Sequence, residues 1–474
     1  MGFGRISCDK KLLKLILHLS WPAILEQILQ TVVQMADSAM VGRLSAQASA
    51  AVGVTTTAMW LLNGIFFAAA VGVLAFIARS VGAQEYDQAR IGSVQAIILT
   101  IILGVVVCAI ALSISGALPA WMDADPEIRE DASAYFFIIC TPMVFRASAI
   151  IFGSVIRAAG DTRTPMLINA LMNILNVVLN FLLIYPTKSY FILGTSVTIP
   201  GAGLGVRGAA FATALSFVVG GILMFLVFYY GKQGGSPKGM KLRVHWSVMR
   251  QCITVSIPNA LERMTACLGQ MVFTSMVAGL GTIPLAAHSI AITAEQAFYI
   301  PGYGFQTAAN MLAGQTLGER DEKKLDSISL TITIFAVSIM TLTALILFLF
   351  PEAMMKLFTT DNLVIELGAS VLRIVSFSEP FFAVSIITEG VFNGVGDTKA
   401  PFVISLITMW AVRVLSTFVC VKLLGLGLTA VWVCMVADVV IRCILMAHRF
   451  FSGAWKRGRF ESSQSAETTA TAVK

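Results

Sequence analysis

Charge is what this sequence has least of. Only 12% of its 474 residues are Asp, Glu, Lys or Arg, about half the ~25% that a water-facing surface ordinarily carries. Seven stretches hold none at all: 44–78, 91–122, 164–187, 208–231, 264–294, 296–318 and 327–351. A soluble domain has no core that could hide so many long uncharged runs, so a soluble enzyme or a nucleic-acid-binding module is excluded. Histidine is also scarce. His18, His245, His288 and His448 form no cluster and no HExxH, and the eight cysteines show neither CxxC nor metal-like spacing. Most of them (Cys108, Cys140, Cys267, Cys420, Cys434) sit inside apolar runs and read as small hydrophobes, not as a disulfide framework. No metal site, cofactor or catalytic constellation is expected. The first 20 residues lack an A-x-A cleavage pattern, so no removable signal peptide is expected either.

What is present is apolar length. Mean hydropathy is +0.83, and each uncharged run suffices for a helix crossing ~30 Å of hydrocarbon, which takes about 20 residues. Lipid offers the backbone no hydrogen bonds, so such runs must satisfy their own amides as helices. The fold class that follows is an all-α integral membrane protein.

The net charge of +7 is distributed by topology. Lys10, Lys11 and Lys14 precede the first span; Arg79 and Arg90, Arg157 and Arg163, and Lys232 to Arg250 follow in every second loop. The series continues with Arg320, Lys323 and Lys324, Lys399, and Arg449 to Arg459. Alternate loops are poor in Lys and Arg, and the segment Asp123 to Glu127 is acidic. This positive-inside pattern implies a multi-pass cell-membrane protein with both termini in the cytoplasm.

The chain also repeats itself. Ser20-Trp-Pro-Ala-Ile-Leu-Glu26 answers to Ser256-Ile-Pro-Asn-Ala-Leu-Glu262, an offset of 236. The same offset takes Met40-Val41 to Met276-Val277, Gly82 to Gly318, and Gly160-Asp-Thr-Arg-Thr-Pro165 to Gly396-Asp-Thr-Lys-Ala-Pro401. Beyond the fifth span the offset falls to 222, so the loop from Tyr185 to Pro200 is about 14 residues longer in the first half. Six spans per repeat return the chain to the same side. Two six-helix bundles related by a pseudo-two-fold axis along the membrane normal follow, with a cleft between them that rocking would open alternately. The expected organisation is an N-terminal lobe over 1–230, a cytoplasmic linker over 231–250, a C-terminal lobe over 251–455, and a polar, disordered tail over 456–474.

At these motifs the chain resembles the multidrug and toxic compound extrusion (MATE) transporters. The residues that carry the resemblance are the Pro-bearing first span, Ala36-Asp37-Ser38-Ala-Met-Val-Gly42, Val81-Gly82-Ala-Gln-Glu85 and Arg157-Ala-Ala-Gly-Asp-Thr162. In the second half they are Gly279-Leu-Gly281, Pro301-Gly302-Tyr-Gly304-Phe, Gly314-Gln315-Thr-Leu-Gly318 and Gly394-Val-Gly396-Asp-Thr398. The resemblance runs from about residue 11 to 450 and leans to the DinF-like branch over the NorM-like one. It implies twelve transmembrane helices in two six-helix lobes and export of amphipathic, often cationic compounds in exchange for H⁺ or Na⁺, and it marks Asp37 as the coupling carboxylate of the N-terminal lobe.

The residues speak for themselves in part. A carboxylate at membrane depth costs at least ~2.5 kcal/mol, so Asp37 is expected to have a pathway, an ion or a partner; the alternative is a helix cap near Gly42. Asn173, Asn176 and Asn180 share one face of the fifth span and, with Thr213 of the sixth, would surround it. An amide ladder joining helices is the competing reading. The DinF-like branch carries a second acid at the Asn180 position, and its absence here weakens a tight Na⁺ site. Glu26 and Glu262 each follow a proline by four residues. Glu26 leans to a structural role beside the kink, whereas coupling and structure are balanced for Glu262. The NorM-like tenth-span acid is replaced by Phe382, and the seventh-span acid of that branch lies further along than Glu262. Glu295, four residues before Tyr299, is the best remaining cleft candidate; Glu379, Glu389, Arg146, Arg413 and Asp438 are further intramembrane charges. The two Gly-Asp-Thr motifs read as helix stops and caps.

Expected partners are therefore an amphipathic small molecule, the coupling cation and the lipid bilayer, without nucleic acid, around a monomer. The alternative is a flippase for lipid-linked saccharides or other lipids, which would favour a cationic cleft. A sugar-porter-like facilitator lacks its Gly-x-x-x-Asp-Arg loop here, and an intramembrane enzyme lacks a catalytic constellation such as paired His with Glu or Ser with His.

Overall fold

The computed structural model describes residues 10–192, 195–231 and 235–456. Eight helices are long and apolar enough to cross a bilayer unaided: Leu12–Gly42, Ala46–Gly82, Tyr86–Ile114, Arg163–Ile184, Gly205–Tyr230, Glu322–Leu349, Lys399–Leu423 and Leu428–Phe451. Two broken pairs, Pro126–Cys140 with Met143–Ala158 and Asn362–Ser376 with Glu379–Gly394, bend by 49° and 53° and supply the fourth and tenth crossings. The more polar helices Trp246–Ala278 and Thr282–Gly318, 33 and 37 residues long, complete the twelve as the seventh and eighth. Proline accounts for the breaks. Pro142 and Pro380 stand at the two bends, where a residue without an N–H and with a bulky ring ends the preceding turn. Pro22 and Pro258 lie inside the first and seventh helices, at repeat-related places.

The chain forms two compact units. One takes the described residues within Met1–Ile24, Leu74–Glu85 and Gln251–Lys474; the other takes Leu25–Val73 and Tyr86–Arg250. In the first unit, Phe273, Ala291, Leu347, Leu372, Val431 and Trp432 meet in a continuous core. Gly82 and Gly318, related by the repeat, let two helices of this unit touch backbone to backbone. A Cβ at Gly82 would collide with the carbonyl of Gln315, and one at Gly318 with that of Arg79.

In the second unit Gly221 allows the same close approach to the backbone of Phe145, while Val41, Ala48, Ile184, Val206 and Ala209 form a smaller core. Part of the linker is strapped to the third span. Arg90 donates to the carbonyls of Ser236 and Lys238 at 3.2 and 2.8 Å, and the buried Gln95 bonds the backbone of Arg243 and His245 at 2.9 and 3.1 Å. The long loop after Tyr185 is a departure from a purely helical chain. Its strands Pro186–Ile192 and Thr195–Ala202 pair antiparallel, with Tyr190 opposite Val197. Its aromatic and β-branched residues suit a hairpin better than an extended loop. The tail beyond 456 lies outside the described residues.

Candidate functional site

Asp37 sits in the last turns of the first helix, half-buried. The fifth helix presents Asn176 and Asn180 to it, one turn apart and 5% and 1% exposed. Asn180 donates its side-chain amide to Asp37 Oδ1 and also reaches Asn176 Oδ1 at 3.2 Å. Asn176 faces Thr213 Oγ1 of the sixth helix at 3.1 Å. With its amide turned, Asn176 gives up the bond from Asn180 and instead donates to both Asp37 oxygens, at 2.9 and 3.2 Å, and accepts from Thr213. The structure thus brings Asp37, Asn176, Asn180 and Thr213 into one polar cluster within one unit. Asn180 Oδ1 is buried there without a partner. One carboxylate and several neutral oxygens and amides can hold a proton or a small cation. Asn173, half-buried one turn earlier, takes no part in this set.

Tyr135 of the bent fourth helix lies within electrostatic reach of Asp37. No sequence pattern pointed to it.

Glu26 is placed elsewhere in the same unit. It accepts from Asn169 at 2.7 Å and pairs with Arg157 at 3.4 Å, both side chains largely buried. These partners are side chains of the fifth and fourth helices, not the backbone freed at the kink. The other unit holds the repeat-related Glu262, which accepts from the Ser405 hydroxyl through Oε1 while its buried Oε2 has no partner. Arg442 bridges onward, to Ser405 at 3.4 Å and to the fully buried Asp438 at 3.1 Å; Arg413 closes on Asp438 at 2.7 Å and on Gln270 at 3.3 Å. Arg442 escaped the sequence reading although its place four residues after Asp438 is the ordinary spacing of a helical ion pair. Glu295 lies near Tyr299, Glu379 and Arg413, and Glu389 accepts from Gln306 at 2.9 Å.

In the first Gly-Asp-Thr motif Asp161 caps the fifth helix, accepting from the backbone of Arg163 and Thr164 at 3.0 Å. In the second, Asp397 pairs with Arg449 of the twelfth helix at 2.6 Å. Among the described residues no group of His, Cys, Asp and Glu could hold a metal ion.

The MatE family model matches this chain twice, over residues 22–182 and 258–419, again 236 apart at their starts. The chain belongs to the MatE family. It is therefore a multi-pass membrane protein of a family of multidrug efflux transporters, and the family's members are not enzymes. Among relatives of this MatE protein, a probable multidrug resistance protein NorM of Thermotoga maritima is 29% identical over 94% of this chain and 93% of its own. An uncharacterized transporter, YisQ, of Bacillus subtilis is 23% identical over 93% and 94%. The fold matches the outward-facing structure of a multidrug resistance MATE transporter of the MOP superfamily with a TM-score of 0.85. That match has 24% identity and covers 94% of this chain and 96% of the other.

Proposed function

We propose that this protein exports amphipathic, often cationic compounds in exchange for H⁺ or Na⁺, by alternating access, with Asp37 as the coupling carboxyl. The observation that carries the reading is the Asp37 cluster. A membrane-embedded carboxyl costs several kcal/mol unless an ion or polar partners offset it, and here it is met by two buried amides of the fifth helix, one of them backed by the Thr213 hydroxyl of the sixth. Asn176, Asn180 and Thr213 position and partly neutralise the carboxylate when it is bare. When it binds a proton or cation, their oxygens are available on the same side. Coupling through this half follows the DinF-like pattern. Glu262 and Glu295 are secondary candidates for coupling or for lining the substrate path, and Glu26 is held by its ion pair. The working unit is a monomer in the cell membrane, with both termini cytoplasmic.

The test is uptake of an ethidium-like cation into everted vesicles or proteoliposomes under separately imposed H⁺ and Na⁺ gradients. Accumulation driven by one gradient supports the reading and names the ion. Absence of accumulation of any amphipathic cation by folded protein overturns it and favours lipid translocation.

A further inference from the structure

One cation of the N-terminal half has no acid of its own. Arg146 stands near the middle of the broken fourth crossing, four residues after the bend at Pro142. Its Nε donates to Asn63 Oδ1 of the second helix at 3.2 Å, and its guanidinium lies 4.6 Å over the Phe217 ring of the sixth. Asn63 is anchored in turn. Its Nδ2 donates to the Met59 carbonyl at 2.9 Å, which leaves the amide oxygen for the arginine. All these residues belong to one compact unit.

The outer edge of the guanidinium is left over. Among the described residues neither Nη1 nor Nη2 of Arg146 bonds the protein, and neither is sealed from the exterior. Other intramembrane arginines are matched by carboxylates: Arg157 by Glu26, and Arg413 and Arg442 by Asp438. Glu26 is also within electrostatic reach of Arg146, but its oxygens are bonded to Arg157 and Asn169. A cation at membrane depth is costly unless a counter-charge meets it. A neutral amide and a ring face offset only part of that cost.

The fold does not require this arrangement. At the repeat positions of Asn63 and Arg146 the second half has Tyr299 and Phe382, two rings packed at 5.4 Å. One half fills the place without charge; the other puts an accessible guanidinium there.

We propose that Arg146, positioned by Asn63 and Phe217, binds the carboxylate of an amphipathic substrate. The site rests on the reading of the protein as an exporter of amphipathic compounds, and it extends their class from cations to zwitterions and acids. With Nε engaged by Asn63, Nη1 and Nη2 form a planar two-donor edge that matches the two oxygens of a carboxylate. Near the bilayer midplane is also where transporters of this architecture hold their substrates. A carboxylate brings one negative charge to one positive, so the pair is neutral at depth. A phosphate monoester, with about two negative charges, would leave an excess there.

The probes are rhodamine B, a zwitterion with a free carboxylate, and its ethyl ester, the same dye without one. Fluorescence polarisation measures equilibrium binding of each to the full chain in nanodiscs, without an ion gradient and with empty nanodiscs as the blank for lipid partition. Wild type prefers the acid. Arg146→Gln weakens acid binding by about 10- to 100-fold, the range for a hydrogen bond to a charged group, and changes ester binding by less than about twofold. Arg146→Lys keeps the charge, loses the fork and falls between the two. Asn63→Asp gives Arg146 an internal counter-charge and lowers the acid's affinity as Arg146→Gln does, even where the glutamine variant fails to fold. Arg207→Gln, at an exposed ion pair, changes neither dye. Equal binding of acid and ester to wild type, an acid-to-ester ratio unmoved by Arg146→Gln or Asn63→Asp, or no binding of the acid each overturns the proposal. Arg146-dependent binding without gradient-driven uptake of either dye would leave the site standing and remove the exporter reading; uptake of the ester without preference for the acid would do the reverse.

Discussion

Asn180 of the fifth helix donates its side-chain amide to the Asp37 carboxylate of the first. A neutral amide thus sits where a second acid would leave two like charges in one low-dielectric cluster. The arrangement stabilises the bare carboxylate by hydrogen bonds and leaves one carboxyl to carry the coupling charge. Removing that amide should therefore separate coupling from folding. Asn180→Leu is expected to shift the coupling-ion concentration for half-maximal transport by about 10- to 100-fold, the range of a hydrogen bond to a charged group (about 1.5–3 kcal/mol). A dose–response of uptake against ion concentration checks this; an unmoved midpoint would place Asn180 outside the ion site.

Thr213 acts one bond further away, through Asn176. Thr213→Val keeps the shape but removes the hydroxyl, and is expected to move the same midpoint by only about fivefold, the value of one neutral hydrogen bond (about 1 kcal/mol). An effect as large as that of Asn180→Leu would mean that Thr213 contacts the ion itself.

Asp438 is fully buried between Arg413 and Arg442. Asp438→Ala leaves two guanidinia without their shared counter-charge and is expected to cost about 3–5 kcal/mol, the range for breaking a buried pair from one side. Arg207→Ala breaks a pair with Glu130 in which the side chains are 48% and 86% exposed and should cost under about 1 kcal/mol. Thermal or denaturant unfolding in detergent compares the two, and similar losses would refute the burial argument.

Gly82 and Gly318 permit backbone contact that no side chain allows. Gly82→Ala and Gly318→Ala are each expected to destabilise by about 1–3 kcal/mol, as overpacking does. Gly53→Ala, where an added Cβ meets nothing within 4 Å, should be neutral or slightly stabilising. Melting temperatures in detergent suffice, and a neutral Gly318→Ala would contradict the packing described.

Much of this was legible in the sequence because lipid imposes a strict rule. Uncharged runs must be helices, and a constant offset must place equal parts in each half. The repeat carries chemistry as well: Asn169 and Ser405, 236 apart, bond Glu26 and Glu262, also 236 apart. The face shared by Asn176 and Asn180 likewise followed from spacing alone. What did not follow depends on tertiary contacts. Tertiary packing brings Tyr135 within electrostatic reach of Asp37, and the union of Arg413, Asp438 and Arg442 joins two helices whose register no periodicity fixes. Nor did spacing foretell that Asp397 pairs with Arg449.

The central claim is that Asp37 couples ion flow to export, and its most direct test compares two modes of transport by Asp37→Asn in proteoliposomes. The account predicts that the variant still exchanges labelled substrate across the membrane at equilibrium but no longer accumulates it when an H⁺ or Na⁺ gradient is imposed. Gradient-driven accumulation at the wild-type level in Asp37→Asn would contradict the account and move coupling to another carboxyl, with Glu262 the first to examine.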